Sequence, residues 1–295
     1  MKHLILITAL LFHNCIQAQK LPLILDADTG NEVDDLYALV RAFATDQFNI
    51  IGINATHWQT AHWAVENSME NSHRLNDMLL SYMDLQIPNY RGARERLFDW
   101  GNQSQTSAAS EFIFHEASKQ NAGNKLTIVV LGALTNVASA ILDHPEIEDK
   151  IKLYWLGTSY DFEKEILKTT DFNCVMDIQA VDVLFNSEVE MYVIPVNVAS
   201  AMTFDFHMTE KTLEDIHPVL DFLVARWVNH LDGGRYKRTI WDLALIEALI
   251  HPEFATTEVI TTPNHLGKRK ITYYKDIQDE KMRNDFFETM KNLSK

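Results

Sequence analysis

The chain has 295 residues, of which 46% are hydrophobic and 23% are charged, proportions that are typical of a globular protein with a large core. Its formal net charge of −15 argues against binding to nucleic acid or to an anionic membrane surface, because both partners favour a basic face. An acidic protein of this size is still suited to hold a neutral small molecule or a cation.

The N-terminal segment, residues 1–18, has the pattern of a secretory signal peptide. Lys2 precedes an apolar run at residues 4–12, and Ala18 is a small residue at a suitable cleavage point. The run is too short to span a bilayer, and a first β-strand is the other interpretation. Cleavage near Ala18 leaves Cys174 as the one cysteine of the mature chain. We therefore expect a periplasmic or secreted protein without an intramolecular disulfide.

After this segment, apolar strand-like runs alternate with helical stretches. The predicted strands are 21–26, 49–56, 125–132, 151–157, 190–196 and 268–277. The predicted helices are 34–46, about 61–83, 133–145, 177–187, 208–230 and 236–250, followed by a helical tail. This alternation predicts an α/β protein with a Rossmann-like three-layer fold, in which helices cover both faces of a mostly parallel central sheet. No linker or repeat interrupts the pattern, so we expect residues 19–295 to form a single domain.

The first predicted strand runs into an unusually acidic loop, LILDADTGNEVDD, at residues 23–35. An EF-hand counted from Asp26 fails, because its fifth and twelfth positions are Gly30 and Tyr37. A phosphatase with an aspartate nucleophile is disfavoured, because Gly30 stands where that motif has Thr or Val and we identify no basic phosphate clamp. Two interpretations stay open: a hard-cation site that uses Asp28, Asp35 and a distant carboxylate, or a solvated acidic helix N-terminus.

Two later stretches bear on this choice. VVLGALTNVAS, at residues 129–139, reads as a strand, a tight glycine turn and a helix that starts near Thr-Asn. RTIWDLALIEALIHPE, at residues 238–253, places a Trp-Asp pair at the start of an apolar helix. Taken singly, each pattern is common, because Thr and Asn are ordinary helix caps and Trp is an ordinary core residue.

In combination, these motifs resemble the nucleoside hydrolase family of the inosine–uridine-preferring type, from about Leu21 to the C-terminal helix. The matching stretches are Asp26–Gly30 with Asp34–Asp35, Gly132–Asn136, Asp171–Asn173 with Asp177, and Trp241–Asp242. The first motif departs from the common form Asp-x-Asp-x-Gly-x-Asp-Asp, because it is two residues longer and has Thr29 in place of the usual Pro. The extension leaves the role of Glu32 open.

The resemblance implies an enzyme that splits the N-glycosidic bond of ribonucleosides into ribose and a free base, with one bound Ca²⁺. By the same resemblance, Asp28, Asp35, Asp242 and the backbone carbonyl of Leu131 are the calcium ligands. Asp28 is also the catalytic base that deprotonates the attacking water. Asp26 is expected to lie behind the calcium ligands and to orient them without binding the cation.

The resemblance also implies the contacts with the sugar. It places Asp34 and Asn173 at the ribose 2′- and 3′-hydroxyls, and Asp171 at the 5′-hydroxyl in place of the usual Glu. Carboxylates around the ribose would stabilise the positive charge of the oxocarbenium-like transition state.

Contacts with the base are expected from aromatic residues. Many family members have His before the late Asp as a candidate general acid, whereas this chain has Trp241. We assign Trp241 a catalytic role in stacking on the leaving base, which favours purine nucleosides. Trp100 is a candidate for the second face of the base, and His57 is a candidate to line the pocket or donate a proton.

The partners follow from the same considerations. We expect a nucleoside as the small-molecule substrate, no nucleic acid and no stable membrane insertion. Family members are commonly dimers or tetramers, so the resemblance implies a homo-oligomer. The longer acidic loop and the Trp241 substitution leave a second hypothesis open, a non-catalytic protein that binds nucleosides or sugars in a calcium-dependent manner.

Overall fold

The structure is a computed structural model that describes residues 20, 22–97, 102–231 and 233–293. The predicted signal peptide lies outside the described residues, and both it and the boundary of the domain stay predictions. Among the helices of the described part, none has the length and apolar character needed to cross a bilayer.

The helices and strands alternate along most of the chain. The strands are β1 Pro22–Ala27, β2 Asn49–Ala55, β3 Asn89–Arg91, β4 Leu126–Val130, β5 Ile151–Leu156, β6 Ser159–Asp161, β7 Ile166–Lys168, β8 Glu190–Ile194, β9 Thr203–Asp205, β10 Lys237–Thr239, β11 Ala255–Thr261 and β12 Lys270–Ile277. The α-helices are α1 Asp34–Phe43, α2 Ser68–Tyr82, α3 Ala108–Ser118, α4 Thr135–Asp143, α5 Phe172–Met176, α6 Ile178–Phe185, α7 Val196–Ala199, α8 Phe206–Leu213, α9 Pro218–Asn229, α10 Trp241–Ile250 and α11 Asp279–Lys291.

Eight of the strands form the central sheet, in the order β11-β12-β8-β5-β4-β1-β2-β3. All neighbouring pairs are parallel except β11 and β12, which are antiparallel. Helices pack on both faces, so the predicted α/β three-layer fold with a mostly parallel sheet is confirmed.

The apolar runs form strands because both faces of the sheet are covered. Successive side chains of a strand point to opposite faces. In β1, Leu25 joins the core cluster formed with α1 and α10, whereas Ile24 joins the cluster formed with α4 and α6. Both side chains are fully buried. A strand that must be apolar on both faces therefore appears in the sequence as an unbroken hydrophobic run.

Several predicted boundaries were wrong for identifiable reasons. The helix predicted at 208–230 is two helices, because Pro218 opens a new helix after the His217 cap. The helix predicted at 236–250 starts at Trp241, because residues 237–239 pair with β9. The strand β11, whose side chains are mostly exposed, lacks the apolar run that marks a buried strand.

The order of the strands in the central sheet determines where the crevice lies. From β1 the sheet continues through β2 and β3 on one side and through β4, β5 and β8 on the other. The crevice of an open α/β sheet lies at such a switch point, beyond the carboxyl ends of the strands. The acidic loop follows β1 directly, so this loop lies at the crevice.

A buried hydrogen bond between Arg41 and Glu247 joins two of the helices that flank this crevice. Arg41 Nε of α1 donates to Glu247 Oε1 of α10 at 2.7 Å, and both side chains are buried. Desolvation raises the pKa of Glu247 to about 8, and the nearby Arg41 only partly offsets that effect. The neutral form of Glu247 is therefore favoured over much of the ordinary pH range.

We expect Glu247→Gln to stabilise the protein more at pH 8 than at pH 5. The folded-state pKa of about 8 lies above the ordinary value of 4.5, so the stability that the protonated group contributes is lost as pH rises through 8. Gln keeps an acceptor for Arg41 and carries no charge to desolvate. Urea unfolding should show a gap in unfolding free energy that widens by about 1 kcal/mol or more, since one pKa unit corresponds to about 1.4 kcal/mol. A gap that is the same at both pH values would contradict this.

Candidate active site

A cavity of about 430 Å³ opens at the carboxyl ends of β1, β4 and β5, beside the first turn of α10. Its volume lies within the range of about 300–1,000 Å³ that is usual for small-molecule sites. Six of its lining residues are acidic, namely Asp28, Glu32, Asp34, Asp35, Asp171 and Asp242.

Two helix starts bring three of these carboxylates together. Asp34 and Asp35 form the first turn of α1, and Asp242 lies in the first turn of α10. Each offers a carboxylate oxygen, and these oxygens lie within 4.8 Å of one another. The N-terminal ends of helices favour negative charge, but all three side chains are buried rather than solvated. The interpretation of this loop as a water-exposed acidic helix start is therefore wrong.

Asp28 is the fourth member of the cluster. It follows β1 and is 2% exposed. Burial raises the pKa of Asp28 well above its usual range, and the nearby charge of Asp34 raises it further. Burial and neighbouring carboxylates act in the same direction on Asp35 and Asp242, whose pKa values are also raised well above the usual range. Such a cluster is costly unless a positive charge offsets the repulsion.

The cluster fits a hard divalent cation. One oxygen each of Asp28, Asp35 and Asp242 is buried without a hydrogen-bond partner among the described residues. Orphaned buried carboxylate oxygens are rare, because each forgoes its solvation. Calcium and magnesium prefer carboxylate and carbonyl oxygens, and these three carboxylates supply such a donor set.

The backbone carbonyl of Leu131 lies at the same edge, one residue after β4. Its oxygen accepts a hydrogen bond from Asn173 Nδ2 at 2.7 Å. Asn173 Nδ2 also donates to the carbonyl of Leu156 at 2.9 Å. A carbonyl oxygen has two lone pairs, so the contact with Asn173 leaves Leu131 able to bind a cation. The two hydrogen bonds from Nδ2 hold the side chain of Asn173 rigidly and leave its Oδ1 as a hydrogen-bond acceptor.

Two further aspartates are fixed by hydrogen bonds. Asp171 caps α5, with one oxygen accepting a hydrogen bond from the Cys174 N–H and the other from the Thr158 N–H.

Asp26 lies behind the cavity, where its carboxylate oxygens accept hydrogen bonds from the side chains of Thr56, Asn54 and Asn136. Burial raises the pKa of Asp26 to about 6.

The predicted base-binding residues separate into three cases. Trp241 is partly buried and lines the cavity, next to Asp242. Trp100 lies outside the described residues. His57 is not among the lining residues of the cavity, because its side chain is fully buried and its Nε2 lies 2.9 Å from Thr135 Oγ1. Since Thr135 Oγ1 donates to Asp177 at 2.6 Å, His57 Nε2 is the donor to Thr135. The position of His57 thus gives no support to the predicted contact with substrate.

The two-residue extension of the acidic loop also lines the cavity. Asn31 and Glu32 are both lining residues. Asn31 Oδ1 accepts a hydrogen bond from Trp63 Nε1 at 3.0 Å, and Trp63 stacks on Phe172 with ring centroids 5.6 Å apart. The sequence indicates a packing role for Trp63, which agrees with its stacking on Phe172 and with its absence from the cavity lining. Phe172 stands inside the acid-Phe-Asn motif but had no assigned role.

Gly132 keeps Asp28 in place. A Cβ atom at Gly132 would lie 2.9 Å from both Cγ and Oδ1 of Asp28, closer than real Cβ atoms approach other atoms. We expect Gly132→Ala to displace the carboxylate and to lower kcat/KM by about 100-fold, since a small misplacement of a reacting group has an effect of this order. Steady-state kinetics on a nucleoside would measure the loss.

The matched control for this substitution is Gly234→Ala. A Cβ atom at Gly234 has no described atom within 4 Å, so its kcat/KM should stay within about twofold of wild type. Equal activity of the two variants would show that Gly132 does not position Asp28.

The fold and the site together define a class of protein. A mostly parallel α/β sheet, with buried carboxylates around a sugar-sized cavity at its switch point, is suited to hydrolysis of glycosidic bonds, which relies on carboxylates. Residues 23–284 match the family model of the inosine-uridine preferring nucleoside hydrolases. The chain therefore belongs to this family of metal-dependent N-ribosyl hydrolases.

Individual relatives agree with the family match. A probable ribonucleoside hydrolase of Dictyostelium discoideum is 26% identical over 69% of this chain and 65% of its own length. The non-specific ribonucleoside hydrolase RihC of Salmonella enteritidis PT4 (strain P125109) is 25% identical over 81% of both chains. Among solved structures, a plant nucleoside hydrolase, PpNRh1, has a TM-score of 0.72 at 16% identity and covers 92% of this chain and 99% of its own. The last comparison supports the fold.

Proposed function

We propose that the protein hydrolyses ribonucleosides to ribose and free base in a calcium-dependent reaction, with a preference for purine nucleosides. The observation that carries the proposal is the set of buried, unpartnered carboxylate oxygens on Asp28, Asp35 and Asp242. Their position at the switch point of a nucleoside hydrolase fold supports a site that binds a cation and a ribose side by side.

Asp28 deprotonates the attacking water in the proposed reaction. Asp28, Asp35, Asp242 and the Leu131 carbonyl would hold the cation, which when bound polarises water and ribose hydroxyls. Asp28 accepts the proton of the attacking water through a carboxylate oxygen that faces the cavity. Glycine at position 132 leaves room for this carboxylate, because a Cβ atom there would lie 2.9 Å from Asp28 Oδ1.

The sugar is held by residues that the fold has already oriented. Asn173 uses its amide N–H groups on two backbone carbonyls, so it presents Oδ1 as an acceptor to a ribose hydroxyl. Asp34 offers a second acceptor from the first turn of α1. Asp171 is directed by two backbone N–H groups, and we propose that it faces the 5′-hydroxyl. These carboxylates also stabilise the positive charge that develops on the sugar.

A nucleoside panel with reducing-sugar release as the readout tests the proposal. We expect inosine and guanosine to be cleaved faster than uridine and cytidine in the presence of Ca²⁺, and EDTA to abolish the activity. Magnesium in place of calcium separates calcium dependence from a general need for a divalent cation. Failure of every nucleoside to release ribose would remove the catalytic claim, and binding by calorimetry without turnover would favour the calcium-dependent binder.

The proposed purine preference depends on Trp241, which faces the cavity at the start of α10. We expect Trp241→Ala to lower kcat/KM for inosine by about 10- to 100-fold, because base stacking on an aromatic ring is worth about 1–3 kcal/mol. The loss should be smaller for p-nitrophenyl riboside, whose leaving group departs without help. Steady-state kinetics with both substrates measures the difference. Equal losses would argue against stacking on the leaving base.

A further inference from the structure

The cavity has a strongly acidic lining. Six of its lining residues carry carboxyl groups, and the described lining contains no Lys, Arg or His. One divalent cation would offset only part of this charge. A phosphate-bearing substrate would be repelled, whereas a positively charged one would be attracted.

Apart from its carboxyl groups, the described lining offers few side chains that could protonate the leaving base. A neutral nucleoside releases its base as an anion unless an acid protonates it. The described lining contains no His, Lys, Tyr or Cys. Asp171 is held as an acceptor, because both of its oxygens receive backbone N–H groups. Asp28 has to take a proton from water, so it cannot give one to the base at the same step.

The extension of the acidic loop adds charge to the cavity lining. Glu32 lines the cavity, and its charge acts on Asp28 and Asp35. Its neighbour Asn31 is fixed by the hydrogen bond from Trp63 Nε1, so the extension is held against the cavity rather than extended into solvent.

Aromatic rings complete the arrangement. Trp241 and Phe172 both line the cavity, and Trp63 stacks on Phe172 with an interplanar angle of 16°. Aromatic faces attract cations, and Trp does so most strongly. A cationic ring stacked on Trp241 would therefore be stabilised both by the ring and by the surrounding carboxylates.

We propose that the preferred substrates are nucleosides whose base already carries a positive charge, such as N-alkylated purinium or pyridinium ribosides. This inference rests on the proposed function and names the substrate class of the same site. Water attacks the anomeric carbon, and the electron pair of the C–N bond returns to the ring nitrogen. The base leaves neutral, and the proton of the water passes to Asp28 and then to solvent. No acid is needed at the base.

Three ribosides test the inference with the calcium-loaded full chain: guanosine, N7-methylguanosine and p-nitrophenyl riboside. We expect kcat/KM for N7-methylguanosine to exceed that for guanosine by about 100-fold or more. Glu32→Gln should lower this ratio by about five- to tenfold, the effect of one unit charge at a few ångströms in a partly screened site. The intrinsic lability of N7-methylguanosine cancels in the comparison of variants.

The matched control is Glu111→Gln, which removes the same charge on the exposed face of α3, outside the cavity lining. It should leave the ratio unchanged. Equal cleavage of guanosine and N7-methylguanosine would overturn the inference, and so would an unchanged ratio in Glu32→Gln.

Guanosine, as the neutral nucleoside, distinguishes failure of the proposed function from failure of the proposed substrate class. Cleavage of guanosine without any preference for N7-methylguanosine would leave the proposed function standing and overturn the substrate class. Failure to cleave all three ribosides would overturn both.

Discussion

Replacing Asp28 with Asn is expected to lower kcat by about 1,000-fold or more and to leave the fold intact. The loss of a positioned general base has an effect of about 100- to 10,000-fold, and Asp28 is also expected to bind the cation. Asn preserves the shape of the side chain but cannot accept the proton of the attacking water. The fold should survive because Asp28 is a costly buried carboxylate, whose pKa is raised by burial and by neighbouring charge.

The measurement is single-turnover kinetics on the preferred nucleoside, with thermal unfolding as the test of folding. Asp46→Asn is the matched control, because Asp46 is exposed on the loop between α1 and β2. It should keep the activity of wild type. Activity of Asp28→Asn within about tenfold of wild type would exclude Asp28 as the base.

The second large effect is expected for Asp242→Asn, which should remove most of the stabilisation that calcium confers. A cation that binds only the folded state at 100 times its Kd stabilises it by about 2.7 kcal/mol, a rise in Tm of roughly 5 °C for a chain of this size. Asp242 Oδ1 is buried and unpartnered in the described part of the chain, so it is a natural ligand for that cation. The variant should also lose about 100-fold or more in kcat/KM, because the cation is expected to orient the substrate.

The same variant is expected to be more stable than wild type when the cation is removed by EDTA. Asp242 is buried beside Asp34, Asp35 and Asp28, and each of these charges disfavours its ionised form. An amide removes one of these repulsive charges. Scanning calorimetry with EDTA and with excess calcium gives both results. A calcium-induced shift in Tm that equals that of wild type would exclude Asp242 as a ligand.

The sequence predicted the sheet and the position of the acidic loop well, because both depend on local patterns. Strands buried on both faces must be continuous apolar runs, and all six predicted runs form strands of the central sheet with at least one parallel neighbour, as β1, β2, β4, β5, β8 and β12. Strand β11 was missed, because its exposed, mixed composition carries no such signal.

Candidate site residues were predicted less evenly. Those that belong to quoted motifs, such as Asp28 and Asp242, line one cavity although they stand far apart in the chain. His57 was assigned to the site only because of the chemistry of its imidazole. An imidazole can equally take part in a structural hydrogen-bond network, and His57 is buried against Thr135. Glu32 had no predicted role, since a surface acid and a pocket acid look the same in a sequence.

The sequence by itself determined the alternation of strands and helices and the crowding of acids after the first strand. Both are local properties, set by hydrophobic periodicity and residue type. Only the tertiary structure decided that Asp28, Asp35 and Asp242 are buried with unpartnered oxygens. That result depends on α1 and α10 packing side by side at the end of β1, which excludes water from the carboxylates. The tertiary structure also places Asn31 and Glu32 in the cavity lining, so an insertion in a loop becomes part of a cavity.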